Sequence, residues 1–407
     1  MKKLLILIAP IFITISLVSQ TLYERTFTWQ TYDREYIIEI PDDLSTPCPV
    51  MFISHGLGKT KEYAAGYLPS DRPAWIYIMP QGLLYRFSIP TPMFPNRELW
   101  GYDFGTAWNC GAAGTANVVG IQIPLNYNIN ENIDDTGFLN ALLDSVINNY
   151  NVDIDSIFFS GSSLGGFMAN RMGIEFGNRI NGVASVSGTI GNLIKNETPV
   201  APINALNIHG TNDEVIDYET GNLNPTIPGL SIASLGIPAE DVPQYWREFN
   251  QCDLEPIHYE YPDIHNDGKT FERFYYGNGI NDSKVAFIKV NNGEHRWHVA
   301  EVDNTDIDCF TEIVKFFRGQ WYNPIANDIV EQKNINIFPN PATDKITITN
   351  LAGNNINTIE FYDITGRIVK KIHNSSHQNT ATIDISNLKR GTYIVKIKKF
   401  KQIIIIE

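Results

Sequence analysis

The stretch SIFFSGSSLGGFMANRM, residues 156–172, constrains this chain more than any other. An apolar run of strand character passes through Gly161-Ser162-Ser163-Leu164-Gly165 into a run of helical character. So short a passage from strand to helix needs close backbone approaches, and glycine leaves room for them. The helix must then pack back on the sheet that holds the strand, which is the repeating unit of an α/β layer structure.

The surrounding chain keeps that rhythm. REYIIEI (34–40) alternates like a strand, and VMFIS (50–54) and WIYIM (75–79) are short apolar runs ending at turns with Gly or Pro. Runs of this kind suit buried strands of a parallel sheet. SIFFS (156–160), VASVS (183–187), INALNIH (203–209) and VAFIKV (285–290) continue the series. DDTGFLNALLDSVINNY (134–150) has helical apolar spacing through Phe138, Leu142, Leu143 and Ile147, and TDIDCFTEIVKFF (305–317) reads as an amphipathic closing helix. Residues 21–322 therefore form one α/β domain with a mostly parallel central sheet. Leu83 to Thr106 breaks the rhythm: it has no clear period and is rich in aromatic residues and proline, and a long loop in a compact domain is often functional.

Beyond Tyr322 the character changes. Residues 323–334 read as a linker, with a boundary near residue 333. KITITN, NTIEFYDITGRIVKKI, ATIDISN and GTYIVKIK then alternate with period two, which predicts a small antiparallel β-sandwich over 335–407. From Lys333 onward the chain holds 11 Lys+Arg against 5 Asp+Glu, while the whole chain carries −14, so residues 1–332 carry −20. So acidic a body is a poor partner for nucleic acid or anionic lipid.

Lys2 and Lys3 precede an apolar stretch from Leu4 to Val18 and then the small Ser19, the order of a secretory signal peptide over residues 1–20. Cleavage after Ser19 or after Gln20 fits equally. The rival is a membrane anchor, against which Pro10 and the modest apolar length count. Export puts Cys48, Cys110, Cys252 and Cys309 in an oxidising compartment, where disulfides persist. Three pairings are open and Cys252 with Cys309 is the one favoured here, against buried free thiols; no CxxC spacing marks a metal site.

The G-x-S-x-G pentapeptide in a strand–turn–helix context makes Ser163 a candidate nucleophile, with the Leu164 N–H at the helix start able to serve a developing oxyanion. A serine hydroxyl needs a base. The chain order Ser, acid, His directs the search downstream. His258, His265, His295 and His298 follow at suitable distance, and only His295 directly follows the last predicted strand, in NNGEHRWH; His298 is its rival. INALNIHGTNDEVIDY offers Asp213, Glu214 and Asp217 as the acid, with Asp213 preferred in its turn after the strand-end His209. The His55-Gly56 pair after an early strand nominates the Leu57 N–H as a second oxyanion donor.

These pieces run in a familiar order: REYIIEIP, VMFISHGLG, AWNCG, the block 134–172, NIHGTNDEVIDY, WREFNQC and NGEHRW. Together they resemble the polyhydroxybutyrate depolymerase-like and feruloyl esterase group, close to carbohydrate esterase family one. The resemblance implies an α/β-hydrolase fold and a serine esterase needing no metal or organic cofactor. The group's HGxxD turn maps its acid to Asp213, and its GHxW turn maps its base to His295, with Trp297 beside it. Glu294 departs from the group's usual glycine, and 83–106 reads as an insertion. The aromatic content of that insertion nominates Tyr85, Phe87, Phe94 and Trp100, with Trp297, as substrate-binding residues. NIFPNPATDKITI, EFYDITGRIVKKI and IDISNLKRGTYIVKI resemble the type IX secretion sorting domain of Bacteroidota, which implies that machinery as a partner and release or display at the cell surface. A carbohydrate-binding sandwich is the bland alternative for the tail, which lacks a tryptophan platform. The expected substrates are feruloyl or acetyl esters on plant polysaccharide. Polyester depolymerase, peptidase and non-catalytic surface binding protein are the rivals.

Overall fold

The computed structural model describes residues 20–87, 102–118, 121–130, 132–224, 230–303, 305–321, 336–349, 358–363, 367–373, 380–397 and 400–407. The expected leader up to Ser19 and the expected linker lie outside them. The chain divides into two compact units, Met1–Arg318 and Gly319–Glu407.

The first unit is built on strands β1 (Gln20–Trp29), β2 (Tyr32–Pro41), β3 (Cys48–Ser54), β4 (Ile76–Pro80), β5 (Leu83–Phe87), β6 (Tyr102–Ala107), β7 (Ala113–Val118), β8 (Ile121–Asn128), β9 (Val152–Ser162), β10 (Gly182–Val186), β11 (Asn204–Gly210), β12 (Leu230–Ala233), β13 (Ile257–Glu260), β14 (Thr270–Tyr276) and β15 (Val285–Asn291). Its helices are α1 (Lys61–Ala65), α2 (Asp135–Asn149), α3 (Leu164–Phe176), α4 (Asp241–Asn250), α5 (Ala300–Asp303) and α6 (Cys309–Phe317). Ten strands form one sheet in the order β1-β2-β4-β3-β9-β10-β11-β15-β14-β13. The inner run from β4 to β15 is parallel throughout. The pairs β1–β2 and β13–β14 extend it with antiparallel partners at either end. This is the α/β-hydrolase fold expected from the sequence, with a mostly parallel centre.

Burial explains the strand runs. Every residue of β4 and β10 is buried, as strands covered on both faces require. Helix α2 starts where the Asp134 carboxylate accepts the Gly137 N–H at 2.9 Å. Next to that cap, Asp135 is buried against the Arg34 guanidinium at 2.7 Å, and its other oxygen accepts the Asn109 N–H at 2.6 Å. Helix α6 begins at Cys309, later than the sequence pattern implies, because the Asp308 side chain caps it through the Thr311 N–H at 2.8 Å.

Two sequence expectations need correction. The segment 83–106 is not structureless at its ends: β5 and β6 pair antiparallel, Leu83 opposite Ala107 and Leu84 opposite Thr106, with a register shift before Arg86. That irregular pairing breaks strict alternation, which hid it from a periodicity reading. The favoured disulfide is also absent. All four cysteines are free and buried. Cys252 Sγ donates to the Ser283 carbonyl at 3.7 Å, whereas Cys309 is sealed at the start of α6 beneath the His298 carbonyl, so the two sulfurs serve different packing sites.

The second unit consists of β16 (Asn336–Phe338), β17 (Lys345–Thr349), β18 (Thr358–Tyr362), β19 (Ile368–His373), β20 (Thr380–Asp384), β21 (Gly391–Ile397) and β22 (Phe400–Ile406). They form two sheets, β16-β17-β20 and β19-β18-β21-β22, with antiparallel strand pairing. One side-chain cluster, including Ile346, Ile348, Ile359, Phe361, Val395 and Ile404, fills the core between them.

Candidate active site

Parallel strands carry their carboxyl ends to one edge of a sheet, where loops can meet. Four such ends matter here: β3 leads to His55-Gly56-Leu57, β9 to Ser163, β11 to Asp213 and β15 to His295. Gly56, Leu57, Ser163, Leu164 and His295 line one cavity of about 950 Å³, together with Tyr63, Tyr67, Val215, Ile216, Trp297 and Val302.

Ser163 stands on a strained turn, with φ 55° and ψ −124°. A non-glycine residue there costs on the order of 1–3 kcal/mol and persists only where its surroundings enforce it. The enforcement is visible: the Ser163 N–H donates to the Val186 carbonyl at 2.8 Å, and the Ser163 carbonyl accepts the N–H groups of Gly166 and Phe167. Gly165 packs so tightly under β3 that a Cβ there would lie 2.0 Å from the Ser54 carbonyl oxygen. A Cβ on Gly56 would lie 3.1 Å from that of Ser163, so the β3 loop also closes on the elbow.

His295 Nδ1 lies 2.8 and 2.9 Å from the two oxygens of Asp213. The Asp213 side chain is fully buried and accepts the N–H groups of Val215 (2.9 Å) and Ile216 (2.7 Å); His209 Nε2, 3.0 Å from the Ile216 carbonyl, lies 3.2 Å from its carboxylate. Burial alone would raise this carboxyl, but the contacts to His209 and His295 outweigh it and hold it well below the usual carboxylate range. A carboxylate on Nδ1 leaves His295 Nε2 as the basic nitrogen. Ser163 and His295 share the cavity wall without a direct hydrogen bond between their side chains.

The competing residues sit elsewhere. His298 is buried edge-on to Phe271, where desolvation pushes it down to about 4. Glu214 accepts the His295 backbone N–H at 3.2 Å and Asp217 accepts the Thr220 N–H at 2.9 Å. Glu294, the departure before His295, turns toward Lys269 at 3.4 Å. Neither the Leu57 nor the Leu164 N–H donates to a protein acceptor among the described residues, so both remain available at the cavity.

Trp297 is nearly buried and stacks on Tyr67, ring centroids 4.3 Å apart. Tyr67 in turn meets Tyr63 edge-on at 5.5 Å, and Tyr63 is half exposed. These two tyrosines on and beside α1 were not singled out from sequence, since nothing in KEYAAGY distinguishes them from helix surface. Phe94 and Trp100 lie outside the described residues, as do the side chains of Tyr85 and Phe87. Among the described residues, His258, Glu260 and Glu272 are the grouping close enough to share a cation. They lie on the edge strand β13 and its neighbour β14, and none lines the cavity.

The elbow between β9 and α3, with His295 and Asp213 delivered from later strand ends, is the arrangement of an α/β-hydrolase. Residues 121–226 match the phospholipase/carboxylesterase family model, and residues 336–406 match the secretion system C-terminal sorting domain. The second match bears out the expected export. The chain is 26% identical over 194 residues to feruloyl esterase B of Piromyces equi, a match covering 47% of this chain and 31% of that one. It is 29% identical over 85 residues to the bifunctional acetylxylan esterase/xylanase of Neocallimastix patriciarum, covering 21% and 12%. The chain thus spans less than a third of the length of these curated relatives. Among solved structures, an acetyl xylan esterase from Aspergillus awamori aligns with a TM-score of 0.44 at 13% identity, over 73% of this chain and 98% of that one.

Proposed function

We propose that this chain is an exported serine esterase that hydrolyses carboxylic esters through Ser163, His295 and Asp213. The observation that carries the reading is the His295–Asp213 pair facing one cavity with a serine held at positive φ. His295 Nε2 takes the Ser163 proton as Oγ attacks the ester carbonyl. Asp213 holds the His295 tautomer and stabilises the imidazolium. The N–H groups of Leu57 and Leu164 receive the oxyanion. The alcohol leaves with the proton from His295, and water cleaves the acyl-enzyme by the same route.

The substrate class is feruloyl or acetyl esters on plant polysaccharide. The Tyr63–Tyr67–Trp297 wall supports this, because stacked aromatic rings suit phenolic or sugar faces. The similarity to a feruloyl esterase and an acetylxylan esterase points the same way. Residues 21–322 are the catalytic domain, 323–334 the linker and 335–407 the sorting domain read by the type IX secretion machinery.

The test is hydrolysis of nitrophenyl acetate, methyl ferulate and acetylated xylan by the full chain beside Ser163→Ala. The reading expects turnover of the nitrophenyl ester and at least one polysaccharide-type ester, lost in the variant. Hydrolysis that survives Ser163→Ala would refute the nucleophile, and turnover of nitrophenyl ester alone would refute the substrate class.

A further inference from the structure

His55 is fully buried, yet both ring nitrogens have a task. Nδ1 lies 2.8 Å from the Gly56 carbonyl oxygen. Nε2 accepts the Gly82 N–H at 2.9 Å and meets the Gln81 side-chain amide at 3.0 Å. A backbone N–H can only donate, so Nε2 is the lone-pair nitrogen and Nδ1 carries the proton toward Gly56. The ring is fixed in turn. Trp108 Nε1–H donates to the His55 carbonyl at 2.8 Å and its ring packs 5.0 Å from the imidazole. Gly82 comes so close that a Cβ there would lie 3.2 Å from His55 Cε1.

The Gly56 carbonyl belongs to the same peptide unit as the Leu57 N–H. That unit is planar and trans, so its C=O and N–H point in opposite directions. Holding the carbonyl inward on Nδ1 directs the N–H outward, on the loop that closes over Ser163. The next two residues support the pose: Gly58 N–H donates to the Thr106 carbonyl at 2.8 Å, and Lys59 N–H closes a turn on the Gly56 carbonyl at 3.2 Å.

We propose that His55 is a positioning residue for the reaction, which aims the Leu57 N–H at the oxyanion by pinning the Gly56–Leu57 peptide through its Nδ1–H. The inference rests on the esterase reading above. It assigns a task to a buried polar side chain that neither binds substrate nor carries the transferred proton.

The experiment compares wild type, His55→Leu and His55→Asn for kcat, KM and inhibition by a trifluoromethyl ketone, which forms a tetrahedral adduct on the serine. An asparagine amide nitrogen can stand in for Nδ1, whereas leucine cannot donate. Loss of an oxyanion donor lowers kcat by about a hundred- to thousandfold, so a misaimed one is expected to lower it roughly ten- to a hundredfold. The leucine variant should show that fall with KM little changed and ketone affinity reduced in parallel, and asparagine should recover part of both. A folded leucine variant with wild-type kcat and ketone affinity overturns the proposal. Nitrogen NMR of histidine-labelled wild type tests it without any variant, since an Nε2–H tautomer at His55 also overturns it. Absence of Ser163-dependent hydrolysis in the wild type would instead remove the esterase reading itself.

Discussion

Mild acid should loosen the first unit. Burial depresses His55 and His298 from 6.5 to about 4 in the fold. For a histidine lowered on folding, the unfolded chain binds the proton first. The neutral ring therefore contributes stability above about pH 6.5, which is lost as pH falls toward 4. At about 1.4 kcal/mol per pH unit, each histidine removes roughly 3 kcal/mol across that window. Two of them amount to a large part of the roughly 5–15 kcal/mol that holds a domain folded. Asp135, raised by burial, opposes this by taking up a proton in the fold early, so the clean measurement is a difference between variants. His298→Phe retains an aromatic ring against Phe271 and cannot titrate. Urea unfolding followed by tryptophan fluorescence reports mainly the first unit, which holds six of the seven tryptophans. Between pH 6.5 and 4 the wild type should lose about 3 kcal/mol more than His298→Phe. Parallel curves for the two proteins would refute the argument.

Asp213→Asn should keep the fold and lower kcat about ten-thousandfold, because asparagine can hold His295 in the wrong tautomer; steady-state kinetics on nitrophenyl acetate checks this. Breaking the buried Arg34–Asp135 pair with Arg34→Met strands a carboxylate and should cost about 3–5 kcal/mol in the same urea assay. Desolvation raises the thiols, Cys110 to about 12 and Cys252 to about 11. The native protein should therefore react negligibly with a thiol reagent, while the denatured chain without reductant titrates four thiols; only two would restore the disulfide expected from sequence.

The elbow was legible because it is local: strand, glycine-flanked serine and helix all lie within one short stretch. Asp213 and His295 were legible through their place after strands, although 82 positions separate them in the chain. What escaped was whatever depends on pairing between distant segments. The outer antiparallel strands β1, β13 and β14 show little apolar alternation because few of their side chains are buried; three of the four residues of β13 are exposed. Tyr63 and Tyr67 matter through the ring of Trp297 far along the chain. In the sequence His55 and His209 are no more than members of strand-end His-Gly pairs. Burial turns both into hydrogen-bonding groups beside the cavity, a role that histidine's type and position alone do not disclose.

For any laboratory evolution of substrate scope, the glycines that support Ser163 and the residues at the cavity rim are two different kinds of position. A side chain at Gly161, Gly165 or Gly188 would meet backbone within 2.7 Å, so nearly every substitution there is lost before selection begins. Tyr63 and Val302 line the cavity and are 50% and 80% exposed, and can change size or polarity without disturbing the core. A library confined to such rim positions would search new alcohol and acyl groups while the turn that bears the hydroxyl stays as it is.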